Sequence, residues 1–120
     1  MNTIISSIQK EDLYITKHAY ERLKERAGLA KKAAERISLK AYTDGIRQDE
    51  ATGRLYSYLA EEARKDNRNE GSHRVRIYGE MVYVFSVCDE RNLVFVITAF
   101  QLPNDLKHQA RGCFRKKKAA

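Results

Sequence analysis

The apolar positions change period once along the chain. From Lys17 to about Lys65 they recur at helical spacing, and from His73 to Leu102 they alternate or run together as strands do. Ala19, Tyr20, Leu23 and Ala27 form the first helical stripe, with Thr16 placed to cap its start and Gly28 to supply a left-handed exit. Ala33, Ala34, Ile37 and Ala41 form a second stripe from about Ala30 to Asp44, closed by Gly45. Its polar side, with Lys31, Lys32, Glu35, Arg36 and Lys40, reads as a solvated helix face. Leu55, Tyr58, Leu59 and Ala63 predict a third helix from about Thr52 to Lys65, followed by a polar loop that reaches Ser72.

Leu13-Tyr14-Ile15, just before the first helix, predicts a short strand, and Ile4, Ile5 and Ile8 suit a short packed turn of helix upstream of it. Past the loop, Val75 and Ile77 alternate with Arg74, Arg76 and Tyr78, and Gly79-Glu80 predicts a hairpin turn of the glycine-first type. Met81 to Cys88 is apolar on both sides and is expected between two neighbours. Leu93 to Leu102 predicts a last strand with Val94, Val96, Thr98, Phe100 and Leu102 on one face, ended by Pro103. The predicted fold class is α+β: a short N-terminal strand and two or three helices packed on a three- to four-stranded antiparallel sheet, ordered β-α-α-(α)-β-β-β. The helices are expected on one sheet face.

Charge alters this picture at one end. The 120 residues suit one domain with a net charge of +7, yet six of the 23 Lys/Arg and none of the 16 Asp/Glu lie from Lys107 onward. The chain therefore reads as a near-neutral domain over 1–106 and a basic C-terminal tail over 107–120. Lys107, Arg111, Arg115, Lys116, Lys117 and Lys118, together with Arg74, are candidates for sequence-independent contact with nucleic-acid phosphates. The same tail also suits a solubility arm. No apolar run has membrane-spanning length and the N-terminus lacks a secretory pattern, so no membrane partner and a cytoplasmic location are expected. Cys88 and Cys113 read as free thiols, and His18, His73 and His108 lack zinc-type spacing, so neither metal nor cofactor is expected.

Candidate chemistry concentrates in the first helix. His18, Arg22, Glu25 and Arg26 share a polar side, which sets an imidazole, a proton-transfer group, beside two guanidiniums. Such a group suits phosphodiester cleavage or phosphate holding. It equally suits an ordinary solvated helix in which Arg22 pairs with Glu21 or Glu25. Arg76 and Thr98 have plain readings too, as a solvent-face or ion-paired strand residue and as a good strand former.

The segment Ile15-Thr16-Lys17-His18-Ala19 through Arg22 to Glu25-Arg26, followed by Arg76-Ile77-Tyr78-Gly79 and Leu93 to Leu102, resembles a group of small bacterial and phage domains. Their mark is a "His-Ala, Arg, Glu-Arg" helix ahead of a β-meander, and they are similar to RelE/BrnT-type toxins of the barnase/EndoU/colicin/RelE-like ribonuclease superfamily. The resemblance implies a RelE-like domain that cleaves RNA without metal, by attack of the 2′-hydroxyl on the phosphate. Under it His18 transfers protons, Arg22 and Arg26 hold the phosphate, Arg76 is the cation on the sheet, and Thr98 is a last-strand hydroxyl bonded to the phosphate. RNA is then the expected partner, with an antitoxin or host protein as a second. The segment from Ile46 to Ser72 is longer than that fold needs. Two other function classes stand beside the ribonuclease: a noncatalytic nucleic-acid-binding module, and a phage accessory or inhibitor protein that binds a host protein. Loss of RNA cleavage in His18→Ala separates the first from the others, while oligomeric state is left open.

Overall fold

The computed structural model describes residues 12–65, 72–88 and 90–119. The expected turn around Ile4, Ile5 and Ile8, and the centre of the polar loop at 66–71, lie outside them. In chain order the elements are β1 (Leu13–Ile15), α1 (Lys17–Ala27), α2 (Lys31–Asp44), α3 (Gly53–Lys65), β2 (Ser72–Tyr78), β3 (Met81–Cys88), β4 (Leu93–Gln101) and α4 (Asn104–Ala119). A 3-10 turn, Gln48–Glu50, joins α2 to α3. The fold is α+β, and three of the four helices begin and end close to where the apolar stripes placed them.

Local chemistry accounts for α1. Thr16 Oγ1 accepts the Ala19 N–H at 3.1 Å, and Gly28 leaves the helix at φ 66°. Gly45 ends α2 for a different reason. Its φ is −67°, but a Cβ there would lie 2.4 Å from the Ala41 carbonyl oxygen and 3.0 Å from Arg76 Cβ. Glycine is needed for close approach between the chain leaving α2 and strand β2.

The strand order is β1-β4-β3-β2. β2, β3 and β4 form the predicted antiparallel meander, whereas β1 joins the edge parallel to β4, so the sheet is mixed. A parallel neighbour is feasible because α1, α2 and α3 lie in the connection between β1 and β4.

Helices cover both faces rather than one. On the first, Ala19 and Leu23 of α1 and Ala34 and Ala41 of α2 pack on Tyr83, Phe85, Val94 and Val96. On the second, Leu55 and Leu59 of α3 and Leu106 and Ala110 of α4 pack on Val75, Ile77, Val82 and Leu102. The expected common face from Val94 to Leu102 is also corrected. The register slips between Val84, opposite Thr98, and Phe85, opposite Val96. Ile97 is the extra residue, and this bulge turns Thr98 and Phe100 to the face opposite Val94 and Val96.

Two further expectations change. The segment read as a basic tail is helix α4 through Ala119, seated by a stripe of Leu106, Ala110 and Phe114 at four-residue spacing. The β2–β3 turn has positive φ at both Gly79 (58°) and Glu80 (65°), which is the I′ rather than the glycine-first geometry. Glu80 is fixed there by the Leu102 N–H, which donates to its carbonyl at 3.0 Å, and by Arg111, which pairs with its carboxylate.

Candidate nucleic-acid interface

The residues assigned to phosphodiester chemistry do not meet in one place. On α1, His18 and Arg26 are exposed, and Arg22 Nη1 donates to Glu25 Oε1 at 2.9 Å, as the solvated-helix reading has it. The Arg26 carbonyl accepts from the Gln101 side chain, which lays the end of α1 along β4. Thr98 is half-buried on the other side of the sheet, opposite Val84. Arg76 shares the α1 and α2 face but sits on β2, two strand spacings or about 10 Å from β4.

Arg76 belongs to a different cluster. It is 8 % exposed, its guanidinium lies 5.3 Å from the centre of the Tyr42 ring, and its Nε donates to the Tyr42 carbonyl at 3.3 Å. Among the described residues no carboxylate lies within ion-pair distance of it. Burial lowers its pKa, and repulsion from Arg74 and Arg47 adds to that. The three arginines line a hollow of about 380 Å³ on the outer edge of β2, with Gln48 and Asp49 from the 3-10 turn and Tyr56 from α3. Tyr56 is 46 % exposed.

The hollow is assembled by the chain that leaves α2. Ile46 pairs with Ile77 through two backbone hydrogen bonds of 2.9 and 3.1 Å, bringing Arg47 alongside Arg76. Arg47 Nε donates to Asp49 Oδ1 at 3.0 Å, and this bond holds the Asp49 carboxyl below its ordinary pKa. Lys117, near the end of α4, donates from Nζ to the Gly45 carbonyl at 2.8 Å and to Glu50 Oε1 at 3.0 Å. One cation of the expected arm is thus part of the structure that shapes the hollow.

A second hollow, of about 370 Å³, lies across the Ile46–Ile77 bridge, between the β2–β3 turn and α4. Tyr78 and Phe114 meet edge to face in its wall at 6.1 Å, and Arg111 and Lys118 stand beside them. Lys118 Nζ lies 5.5 Å from the centre of the Phe114 ring. Lys107 is half-buried, and Arg115 and Lys116 are exposed on α4. The outer edge of β2 therefore carries cations on both sides of the bridge.

Arg74 and Arg76 were legible in the sequence as cations alternating on a strand; Arg47 and Tyr56 were not. Arg47 belongs to no periodic element, and its position follows from the Ile46–Ile77 pairing. A lone isoleucine just after the glycine exit of α2 was the available signal. Chemically, the first hollow can bind an anion through guanidinium forks. Among the described residues its lining holds no histidine, and the Asp49 carboxyl is held below its ordinary pKa by Arg47. Among the described residues no three His, Cys, Asp or Glu side chains are grouped to hold a metal ion, and no helix is long and apolar enough to cross a membrane. Comparison with known proteins finds no matching family model, no matching curated protein and no matching solved structure.

Proposed function

We propose that this protein is a noncatalytic binding module for single-stranded nucleic acid, with RNA as the expected partner, which it holds along the outer edge of β2. The observation that carries this reading is the convergence of Arg47, Arg74 and Arg76 on one hollow, with Asp49 as the acid among the described residues of its lining. Bidentate arginines match phosphate oxygens in geometry as well as charge. Across the bridge, Tyr78 and Phe114 offer aromatic surface of the kind on which bases stack, with Arg111 and Lys118 close by for backbone phosphates. Binding of this kind uses no residue of α1.

The ribonuclease reading is favoured by one feature, the grouping of His18, Arg22 and Arg26 on α1, and a single experiment separates the two. Wild type, His18→Ala and the double variant Arg47→Gln/Arg74→Gln are titrated against a labelled single-stranded RNA in excess EDTA, and the RNA is then analysed for 2′,3′-cyclic phosphate ends. Binding is expected to be equal for wild type and His18→Ala and weaker by about tenfold or more for the double variant, with the RNA intact. Affinity should also fall steeply with added salt, as phosphate neutralisation requires. Cleavage by wild type but not His18→Ala would establish the ribonuclease instead. Equal binding by the double variant would remove the β2 edge from the interface.

A further inference from the structure

We propose that the hollow between the β2–β3 turn and α4 is a pocket for a single guanine base, read along its hydrogen-bonding edge by Glu80 and Arg111. This deepens the binding reading above by naming the base selected, and it rests on that reading.

The walls suit one base. Ile46, Ile77 and Ala110 give the hollow an apolar side, and Tyr78 and Phe114 meet in it edge to face at 6.1 Å. A planar ring placed there exchanges water for aromatic and aliphatic surface. The volume of about 370 Å³ lies near the low end of the range for small-ligand sites, which is room for one nucleotide rather than a run of them.

The polar groups suit guanine among the four bases. Arg111 Nε donates to Glu80 Oε2, and among the described residues neither Glu80 Oε1 nor the two Nη groups of Arg111 take part in a further hydrogen bond. The pair therefore offers, in order, two acceptor oxygens and a donor N–H. That is the complement of the guanine edge, on which the 2-amino and N1–H groups donate and O6 accepts. Adenine and cytosine set one amino donor beside a bare ring nitrogen, and uracil has a single N–H between two oxygens. Each of these turns a lone pair against a carboxylate oxygen, a buried mismatch that costs affinity. Lys118 and the remaining Arg111 donors are left for the backbone phosphate.

The edge is set before a ligand arrives. Glu80 has a φ of 65°, in a turn geometry that favours Gly, Asn and Asp, and its carbonyl is held by the Leu102 N–H at 3.0 Å. The bond from Arg111, with the charges of Arg111 and Lys107, holds the Glu80 carboxyl below its ordinary range, so at neutral pH it only accepts. The turn does not call for a glutamate, and an ion pair this exposed adds little to stability. Recognition of a base edge explains why a carboxylate is kept at a left-handed position beside an aromatic hollow.

The test is a binding titration with a short uridine-rich single-stranded RNA carrying one internal guanosine, and with matching RNAs that carry adenosine, cytidine, uridine or inosine at that place. The guanosine form is expected to bind about tenfold or more tighter than the adenosine form, with inosine, which lacks the 2-amino group, between them. Glu80→Gln replaces two acceptors by one acceptor and one donor, and is expected to cut the ratio of guanosine to adenosine affinity by about tenfold. Equal affinity of the wild type for all five RNAs would overturn the guanine assignment and leave the binding module standing. A guanosine preference undiminished in Glu80→Gln would overturn it as well, by placing the selection elsewhere. Failure of every RNA to bind would overturn both readings.

Discussion

Arg76 keeps a positive charge more than nine-tenths buried, against the Tyr42 ring and with two other arginines lining the same hollow. A cation so placed costs stability, and an apolar side chain of similar length removes that cost. Arg76→Met is therefore expected to melt at the same temperature as wild type or higher, while binding RNA about tenfold more weakly; a melting point lower by several degrees would make Arg76 a structural residue instead. Sequence alone located part of this site. Arg74 and Arg76 announce themselves by alternating with Val75 and Ile77, and the grouping of His18, Arg22 and Arg26 follows from helical spacing. What spacing cannot convey is which of these groups meet, because Thr98 and Arg76 reach their places through strand register and a bulge.

α4 shows what an element adds to the residues in it. Its cations disguised a packed helix as a tail, since the stripe of Leu106, Ala110 and Phe114 is thin and follows Pro103 directly. Leu106 is 4 % exposed, so Leu106→Ala should cost about 2–5 kcal/mol in denaturant unfolding. Neutralising the exposed pair with Arg115→Gln/Lys116→Gln should change stability by about 0.5 kcal/mol or less. A free tail would show neither the loss nor the contrast. The same helix is clasped to the 3-10 turn through Glu50. Burial raises the Glu50 pKa, but the Arg47 N–H and the Lys117 ammonium outweigh it, so the folded value lies below the ordinary 4.5. A depressed carboxylate stabilises the fold above its unfolded value and loses that contribution as pH falls through the folded one. Melting curves should therefore show wild type losing stability below about pH 4.5. Glu50→Gln should be less stable than wild type at neutral pH and flatter on the acid side.

For the whole molecule, the order of helices and strands, the antiparallel meander and its central strand were readable from period and turn chemistry. The two-sided cover was not. A strand apolar on both faces predicts cover on both, but the fourth helix needed for it lay hidden under charge. The layered core also sets the alkaline limit of the fold. Tyr83 and Tyr58 are pushed up to about 12 by burial, and Tyr20 to about 12 by burial and its bond to Glu35. A raised folded pKa favours the neutral phenol, so this stability is complete below the ordinary value of 10.0 and drains away as pH rises toward about 12. Melting temperature should hold up to about pH 9 and then fall, with the drop reduced in Tyr83→Phe.

The most direct measurement is backbone amide hydrogen exchange on the intact protein, with and without saturating single-stranded RNA. Binding along the outer edge of β2 predicts slowed exchange in 45–50, 74–80 and the C-terminal half of α4, with α1 unchanged. Protection centred on Lys17–Ala27, or confined to β1 and β4, would contradict it and place the RNA against His18 and its neighbours instead.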